Sequence, residues 1–321
     1  MDRHTLVIFM GLEDELQDPF IASLRDRGVE VLVPQGRKTD EAVIKAVKES
    51  GADMVLAGGE SWSRDVLTAC SGTLRMISKF GVGYDNIDIG AAKELGIKVT
   101  NTPGQNAYAV AEMAVSLMLA LRRKIKWYDG LIQNDKWGRD LAFEIGGKTV
   151  GLIGFGAIAR NVAKMLSGFG CRVRAYDIYF NKEAGKQLGV ESVSLDELFH
   201  ESDVISLHCP LTPETAGIIN RDSIARMKDG VFIINTSRGG VLDVDALKEG
   251  LDSGKVAGAG LDVHPQEPTP HDYVLKGMDN VILTPHAATA TKEAMYNMTK
   301  CTFDHLDEYL AGGEITNLLT K

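Results

Sequence analysis

Three side chains that could hold an acid and move a proton each follow a predicted β-strand in the second half of the chain: Arg238, Glu267 and His286. The guanidinium of an arginine can hold a carboxylate through two parallel hydrogen bonds and fix its orientation. A histidine can donate a proton to a ketone oxygen and take it back in the reverse direction. A buried carboxylate beside that histidine would favour the charged ring and fix its tautomer. Together these groups could catalyse reduction of a 2-oxo acid if a hydride donor were bound beside them.

The strands before these residues place all three side chains at one edge of a predicted sheet. The strands are the apolar runs Val231–Ile234, Ala257–Leu261 and Val281–Leu283. Ligands of open α/β sheets bind outside the carboxyl ends of the strands, so we expect the three side chains to face a common crevice. Singly, a strand-end arginine is often part of a surface ion pair and a histidine after a proline is often a loop residue. The prediction therefore rests on the set.

A glycine-rich turn earlier in the chain is a candidate site for the hydride donor. The segment Gly154–Ala159 follows the predicted strand Val150–Ile153 and begins an amphipathic helix. Gly154 would allow a tight turn, Gly156 would let the backbone approach a pyrophosphate, and the small Ala159 would allow close helix packing. The helix N-terminus adds N–H groups and partial positive charge for the phosphates. The alternative is a glycine turn in an α/β protein that binds no nucleotide.

Asp177 indicates which dinucleotide this turn would bind. It ends the next predicted strand, 23 residues after Gly154. A carboxylate there can accept hydrogen bonds from the ribose 2′-hydroxyl and repels a 2′-phosphate. Ile178, Tyr179 and Phe180 follow, so no nearby arginine or lysine compensates for that repulsion. The sequence therefore predicts NAD rather than NADP as the cofactor.

The composition excludes several other classes of protein. The chain has 321 residues, 44% of them hydrophobic and 25% charged, which is typical of a globular protein with about two domains. Its formal net charge of -9 argues against nucleic acid as the main partner. The four cysteines, Cys70, Cys171, Cys209 and Cys301, are far apart, which favours reduced thiols and no metal site. No signal peptide and no membrane-spanning stretch is recognisable, so we expect a cytoplasmic protein.

Short β-branched runs alternate with helical patterns along nearly the whole chain, which predicts an α/β fold with helix-covered parallel sheets. In the first hundred residues the runs are Leu6–Phe9, Val29–Val33, Met54–Ala57, Leu74–Ser78 and Ile97–Val99. A second series begins at Thr149 and includes Val173–Tyr176, Val204–Leu207 and the three strands named above. Long helices are predicted at Ala107–Arg123 and Lys292–Leu310.

The motifs of this chain resemble those of the D-isomer-specific 2-hydroxyacid dehydrogenases, in their phosphoglycerate dehydrogenase-like branch. Besides the segments around the three polar side chains, the motifs are Lys79–Asp88, Asn101–Asn106, Ala109–Glu112 and His208–Thr215. The resemblance covers almost the whole chain. It implies two Rossmann-like domains with doubly wound parallel sheets and an active site in the cleft between them. The NAD-binding domain, residues 102–288, is inserted in a flavodoxin-like substrate domain made of residues 1–101 and 289–321. It also implies a homodimer, built largely through the cofactor domains and the segment around Ala107–Trp137.

The resemblance also implies roles for individual residues. Arg238 would bind the substrate carboxylate, His286 would be the general acid and base, and Glu267 would be its partner. The N–H groups of Gly81, Val82 and Gly83 would contact the same carboxylate, which is plausible because successive N–H groups form an anion nest. The implied NAD contacts are Gly154, Gly156, Ala157 and Ile158 at the pyrophosphate, Asp177 at the adenosine ribose, Cys209 and Pro210 on the adenosine side, and Thr236, Ser237 and Asp262 toward the nicotinamide.

The substrate within this class is left open by the segment Ala57–Glu60. Many phosphoglycerate dehydrogenases have an arginine near Gly58 that helps to bind the substrate phosphate, whereas here that charge is missing and Glu60 is close by. Lys79 and Arg139 could supply compensating cations. 3-Phosphoglycerate is therefore the leading candidate by resemblance, and reduction of glyoxylate or hydroxypyruvate is the alternative.

A hypothesis from another class is an NAD(H)-responsive binding protein, similar to the transcriptional corepressors that share this fold. The intact set of Arg238, Glu267 and His286 argues against a role in binding alone. Oxidation of NADH by a panel of 2-oxo acids would separate the two hypotheses.

Overall fold

The chain folds around two parallel β-sheets in the computed structural model, which describes residues 4–10, 14–36 and 38–321. Met1–Arg3, which the search for a signal peptide included, lie outside the described residues. The chain divides into two compact units. Unit 1 comprises Met1–Asn106 and Thr291–Lys321, and unit 2 comprises Ala107–Ala290. The domain boundaries expected from the sequence, after residues 101 and 288, stay a prediction.

The helices and strands alternate along most of the chain. The strands are β1 Thr5–Ile8, β2 Glu30–Leu32, β3 Met54–Ala57, β4 Met76–Lys79, β5 Lys98–Thr100, β6 Thr149–Ile153, β7 Arg172–Tyr176, β8 Glu191–Ser192, β9 Val204–Leu207, β10 Val231–Asn235, β11 Val256–Leu261 and β12 Val281–Leu283. The α-helices are α1 Asp14–Asp26, α2 Asp40–Ser50, α3 Arg64–Cys70, α4 Ile89–Glu94, α5 Ala107–Arg122, α6 Ile125–Gln133, α7 Ala157–Ser167, α8 Lys182–Leu188, α9 Leu195–Glu201, α10 Arg221–Arg226, α11 Val244–Asp252 and α12 Lys292–Leu310.

Both sheets are wound in two directions from a central strand. In unit 1 the order is β2-β1-β3-β4-β5 with every pair parallel, which is the flavodoxin-like order. In unit 2 the order is β12-β11-β10-β9-β6-β7-β8, again with every pair parallel. This is the Rossmann order, extended by one strand beside β11. The predicted fold class, α/β with doubly wound parallel sheets, is confirmed.

The strands are buried because helices cover both faces of a parallel sheet. Every residue of β3 and of β9 is buried; β3 is a continuous apolar run, and β9 is apolar except for Ser206. In unit 2 the long helix α5 packs on α7, β10 and β11. In unit 1 α12 packs on β4 and α1, with Phe303 and Leu306 buried in that layer. The two sheets thus provide rigid supports for the loops at their carboxyl ends.

The sequence predicted most of the described strands to within two residues at either end. β3, β9, β12 and α12 have the predicted bounds, β6 begins one residue earlier than predicted, and α5 ends one residue earlier. β8 was not predicted, because its two residues are both exposed and carry no apolar pattern. None of the described helices is long and apolar enough to cross a membrane.

Candidate active site

The glycine-rich turn after β6 forms an open cradle at the start of α7. Gly154 has a φ of +94°, and a Cβ there would lie 2.8 to 2.9 Å from backbone atoms of His208 and Cys209, so only glycine fits. Gly156 is the N-cap of α7, with nothing within 4 Å of where its Cβ would be and no side-chain cap on the helix. The first N–H groups of α7, where Ala157 and Ile158 lie, are therefore available to an anion.

The carboxylate of Asp177 is held between the turns that follow β6 and β7. Its Oδ2 accepts a hydrogen bond from the N–H of Phe155 (2.6 Å), and its Oδ1 accepts one from the N–H of Tyr179 (2.7 Å). Each carboxylate oxygen keeps a further lone pair for a ribose hydroxyl. The rings of Phe155 and Phe180 stack 4.6 Å apart and fix the same turns. The cradle and the carboxylate together fit a dinucleotide without a 2′-phosphate.

The turn after β9 carries the two residues expected on the adenosine side. Cys209 is buried, and burial raises the pKa of its thiol to about 11, so it remains a neutral apolar neighbour. Pro210 is exposed. The sequence analysis assigned no role to His208. Both of its ring nitrogens are buried, and neither has a hydrogen-bond partner in the described part of the chain. Burial lowers its pKa to about 4, so His208 is neutral at physiological pH.

Asn235, the last residue of β10, shapes the turn that presents Arg238. Its Oδ1 accepts hydrogen bonds from the N–H (3.0 Å) and the hydroxyl (2.9 Å) of Ser237, and its Nδ2 donates to the carbonyl of Arg238 (2.8 Å). The Arg238 guanidinium donates to the carbonyl of Ser237 (2.7 Å). Thr236 is buried, and its hydroxyl has no hydrogen-bond partner among the described residues, so it could bond to a ligand. Asn235, which shapes this turn through its side-chain amide, is a site residue that the sequence analysis missed.

Gly239 brings the loop of Arg238 against the loop of Glu267. It begins a short 3-10 helix, Gly239–Val241. A Cβ at Gly239 would lie only 2.1 to 2.4 Å from backbone atoms of His264 and Pro265. No side chain can occupy that space, so the two loops are in direct backbone contact. The sequence analysis assigned no role to this glycine.

His286 and Glu267 form the predicted pair. The Nδ1 atom of His286 lies 2.7 Å from Oε2 of Glu267, and Oε1 of Glu267 accepts the N–H of His264 (2.9 Å). Partial burial alone would raise the pKa of the Glu267 carboxyl, but the hydrogen bonds from His286 and His264 and the charge of His286 lower it. With Nδ1 engaged, Nε2 is the nitrogen left for a substrate. The expectation of a buried carboxylate is wrong, because the Glu267 side chain is 37% exposed.

Asp262 fixes the loop that carries His286. The carboxylate is fully buried and accepts the hydroxyl of Thr284 (2.6 Å) and the N–H groups of Ala287 (2.8 Å) and Ala288 (2.9 Å). Its carbonyl accepts the N–H of His286 (2.8 Å), a residue with a φ of +53°. These contacts hold a non-glycine residue in the left-handed region, which is a strained conformation. Contact between Asp262 and a nicotinamide stays a prediction.

In unit 1, the turn after β4 carries Gly81, Val82 and Gly83, the three residues predicted to bind the substrate carboxylate. Gly81 has a φ of +114°, and its N–H already donates to the hydroxyl of Thr102 (3.1 Å). The side chain of Asn101 donates to the carbonyl of Val82 (2.7 Å). Within the described parts of the chain, the N–H groups of Val82 and Gly83 donate to no acceptor. Two of the three predicted donors are thus available to an anion.

No group of three or more His, Cys, Asp or Glu side chains that could hold a metal ion occurs among the described residues. The geometry of unit 2 can instead bind a dinucleotide at the turns after β6 and β7. It can transfer a proton at His286, and it can hold an anion through Arg238. All of these groups follow the carboxyl ends of strands in one sheet, which is where open α/β sheets bind ligands.

Comparison with known proteins identifies similar chains. A family model for the NAD-binding domain of D-isomer specific 2-hydroxyacid dehydrogenases matches residues 115–288. A hydroxypyruvate reductase of Thermotoga maritima is 46% identical over 262 residues, which are 80% of this chain and 80% of that protein. A D-3-phosphoglycerate dehydrogenase of Archaeoglobus fulgidus is 40% identical over 287 residues, which are 89% of this chain and 54% of that protein. The chain thus spans about half the length of that phosphoglycerate dehydrogenase.

Solved structures agree with these matches. The apo-structure of a D-lactate dehydrogenase from Escherichia coli superposes with a TM-score of 0.84 at 34% identity and covers 98% of this chain and 99% of that one. A glyoxylate reductase from Paecilomyes thermophila superposes with a TM-score of 0.89 at 30% identity, covering 99% of both chains.

Proposed function

Because the chain belongs to the D-isomer-specific 2-hydroxyacid dehydrogenase family, we propose that it is an NAD-dependent oxidoreductase that interconverts a small D-2-hydroxy acid and its 2-oxo acid. The observation that carries this proposal is the 2.7 Å pair of His286 and Glu267. The pair follows the carboxyl ends of β11 and β12, in the sheet whose β6 leads into the dinucleotide cradle. A proton donor and a hydride donor at one sheet edge are what ketone reduction requires.

Residues of unit 2 have separate roles in this reaction. When bound, NADH supplies the hydride. Arg238 holds the substrate carboxylate and so fixes which face of the ketone is presented. Protonated His286 gives the Nε2 proton to the ketone oxygen, while the Glu267 carboxylate stabilises the ring before transfer. In the oxidative direction, neutral His286 accepts the hydroxyl proton at the same atom.

Two groups of substrates fit this class. 3-Phosphoglycerate with its 2-oxo partner is the candidate that the sequence resemblance favours. The unphosphorylated pair, hydroxypyruvate and glyoxylate, is the alternative. The names of similar proteins include both groups, so the choice depends on the residues of this chain that face the substituent beyond the ketone.

The direct test is the loss of NADH absorbance with a panel of 2-oxo acids, repeated with NADPH. We expect oxidation of NADH by at least one acid, and much slower oxidation of NADPH because the carboxylate of Asp177 repels a 2′-phosphate. An Asp177→Ser variant should reduce the preference for NADH by roughly tenfold or more. Tight NADH binding without turnover of any acid would favour an NAD(H)-responsive binding protein instead.

We also propose a homodimer formed through the segment around Ala107–Trp137. Large apolar side chains of this segment are exposed, among them Tyr108 (58%), Ile132 (58%) and Trp137 (88%). Exposed apolar patches of this kind mark protein interfaces. Light scattering after size-exclusion chromatography should give twice the mass of one chain, which is 34.8 kDa.

The four free cysteines support the proposal of a reducing, cytoplasmic location.

A further inference from the structure

The loop after β3 in unit 1 holds a buried anion that the proton-transfer chemistry does not use. Glu60 lies three residues after β3 and is only 4% exposed. Its Oε1 accepts hydrogen bonds from the N–H of Gly58 (2.9 Å) and from the indole N–H of Trp62 (3.1 Å). Trp62 is itself fully buried, with its ring edge-on to Phe9. The carboxylate is therefore fixed by donors of its own loop.

A cation is fixed at the same glycine. Lys79, the last residue of β4, is 7% exposed, and its Nζ donates to the carbonyls of Gly58 (2.6 Å) and Phe80 (3.2 Å). The side chain of Asn86 donates to the carbonyls of Gly58 (3.2 Å) and Glu60 (2.5 Å). Gly58 thus has a carboxylate at its N–H and an ammonium at its C=O. We call Gly58, Glu60, Lys79 and Asn86 the Glu60 corner, whose formal charges sum to zero.

The carboxylate also occupies the space that a side chain at position 58 would need. A Cβ on Gly58 would lie 3.2 Å from Oε2 of Glu60 and 3.4 Å from Cγ of Met10. A side chain there would require the carboxylate or Met10 to shift by a few tenths of an ångström, so Glu60 leaves little room beside Gly58.

The Glu60 corner adjoins the turn proposed to bind the substrate carboxylate. β3 and β4 are parallel neighbours with Ala57 opposite Lys79, so the segments that follow them leave the sheet side by side. The N–H of Phe80 donates to the carbonyl of Ala57 (2.9 Å) and ties the two turns together. A short acid held by the N–H groups of Val82 and Gly83 would therefore extend its other substituent close to this corner.

These observations bear on the choice between phosphorylated and unphosphorylated acids. A phosphate monoester carries nearly two negative charges at neutral pH, and its sites combine N–H donors with arginine or lysine. In the Glu60 corner, the N–H of Gly58 already donates to the Glu60 carboxylate, and the ammonium of Lys79 already donates to two carbonyls. The Glu60 carboxylate offsets the positive charge of the buried Lys79, so this corner offers a phosphate no net positive charge.

We propose that Glu60 makes the enzyme select unphosphorylated 2-oxo acids, such as hydroxypyruvate or glyoxylate, over phosphorylated ones. Glu60 acts through its charge and its loop rather than by contact with the reacting atoms, so it is a specificity-determining positioning residue. This inference rests on the proposed function and reverses the order of candidate substrates that the sequence resemblance suggested.

The test compares two substrates that differ only by the phosphate: hydroxypyruvate and 3-phosphohydroxypyruvate, each with NADH. For the wild-type enzyme we expect kcat/KM to be at least about tenfold higher for hydroxypyruvate. We also expect 3-phosphohydroxypyruvate to inhibit hydroxypyruvate reduction only at concentrations well above the KM of hydroxypyruvate. Both measurements use the unmodified protein and so do not depend on the folding of a variant.

The variant Glu60→Gln keeps the shape of the side chain and removes its charge. We expect it to reduce the ratio of the two kcat/KM values by roughly tenfold, mainly through a lower KM for the phosphorylated acid. The matched control is Glu94→Gln, which makes the same chemical change in unit 1 at an exposed ion pair with Arg64 (2.6 Å). The control should leave the ratio unchanged.

The experiments distinguish failure of the inference about Glu60 from failure of the proposed function. A wild-type preference for 3-phosphohydroxypyruvate, or tight inhibition by it, would overturn the inference while supporting the proposed function. An equal ratio in Glu60→Gln and the wild type would also overturn it. No NADH oxidation with any 2-oxo acid would instead contradict the proposed function itself.

Discussion

Two pairs of charged side chains, one at the carboxyl edge of each sheet, differ in their exposure to solvent. In unit 2, the side chains of His286 and Glu267 remain 47% and 37% exposed. In unit 1, the whole residues Glu60 and Lys79 are only 4% and 7% exposed. The first pair can exchange a proton with a small molecule, whereas the second can act only through its charge and its backbone. Charged residues at the carboxyl edge of a parallel sheet can therefore act in proton transfer when they are exposed, or in the choice of substrate when they are buried.

Loop length explains much of this difference. In unit 2 the connection from β11 to β12 runs from Asp262 to Asn280, which is long enough to bring Glu267 back to His286, three residues after β12. In unit 1 only six residues, 58–63, separate β3 from α3. A carboxylate on so short a loop reaches its own backbone first, so Glu60 folds onto Gly58.

The largest effect is expected when the proton donor of unit 2 is removed. His286→Ala should lower kcat for 2-oxo acid reduction by roughly 100- to 10,000-fold, because general acid catalysis is lost. NADH binding should persist, since the dinucleotide cradle lies on the other turns. Steady-state kinetics together with NADH fluorescence titration checks both expectations. Near-normal turnover in this variant would show that the exposed pair is not the proton-transfer site.

The next largest effect is expected at a residue with no chemistry of its own. Gly239→Ala would force a Cβ to within 2.1 to 2.4 Å of backbone atoms in the loop that leads to Glu267. The loops must separate, which should cost about 1–3 kcal/mol of folding stability and roughly 100-fold in kcat/KM. Thermal unfolding and kinetics measure the two effects.

The matched control is the adjacent glycine. A Cβ at Gly240 would meet only side-chain atoms of Leu211, at 3.0 Å or more, and a flexible leucine can move. Gly240→Ala should therefore be much milder in both measurements. Equal losses in the two variants would mean that the backbone contact at Gly239 does not position the site.

The sequence could predict contacts that the sheet itself imposes, but not contacts that depend on how the loops pack. The carboxyl ends of parallel strands meet at one edge, so the positions of His286 and Glu267 after their strands were enough to predict their pairing. The contact of Gly239 with His264 was not predictable, because it depends on how two loops pack after the strands are aligned. The same holds for the clamp of Asp262 on the loop of His286, and for the exposure of Glu267.

The exposed pair of His286 and Glu267 should also make catalysis depend on pH. Reductive kcat/KM should fall with rising pH, because only the protonated ring of His286 can donate. Glu267→Gln removes the negative charge that stabilises the protonated ring, so the midpoint of this fall should lie at a lower pH in the variant than in the wild type. The control Glu249→Gln removes a carboxylate of unit 2 that pairs with Arg221 at the surface. An unshifted midpoint in Glu267→Gln would contradict the assigned role.

The same pair also makes folding stability depend on pH. The pKa of Glu267 is lowered in the folded protein, against the effect of its partial burial, by hydrogen bonds from His286 and His264 and by the charge of His286. The stabilisation is therefore complete above the ordinary carboxyl pKa of about 4.3 and is lost as the pH falls through the lowered value. Glu267→Gln should remove this part of the acid sensitivity in urea unfolding curves.

The smallest expected effect on catalysis comes from loosening the buried pair. In Asn86→Ala the carbonyls of Gly58 and Glu60 lose their shared donor, which should reduce the free energy of unfolding by about 1–3 kcal/mol. Gln187→Ala, which removes an exposed amide of α8, is the control and should cost far less. Because Asn86 supports selection rather than proton transfer, the pH midpoint of reduction should stay at its wild-type value while KM changes. A shifted midpoint would mean that the buried charges of unit 1 also act on the proton donor, and the division of roles between the two sheet edges would then be wrong.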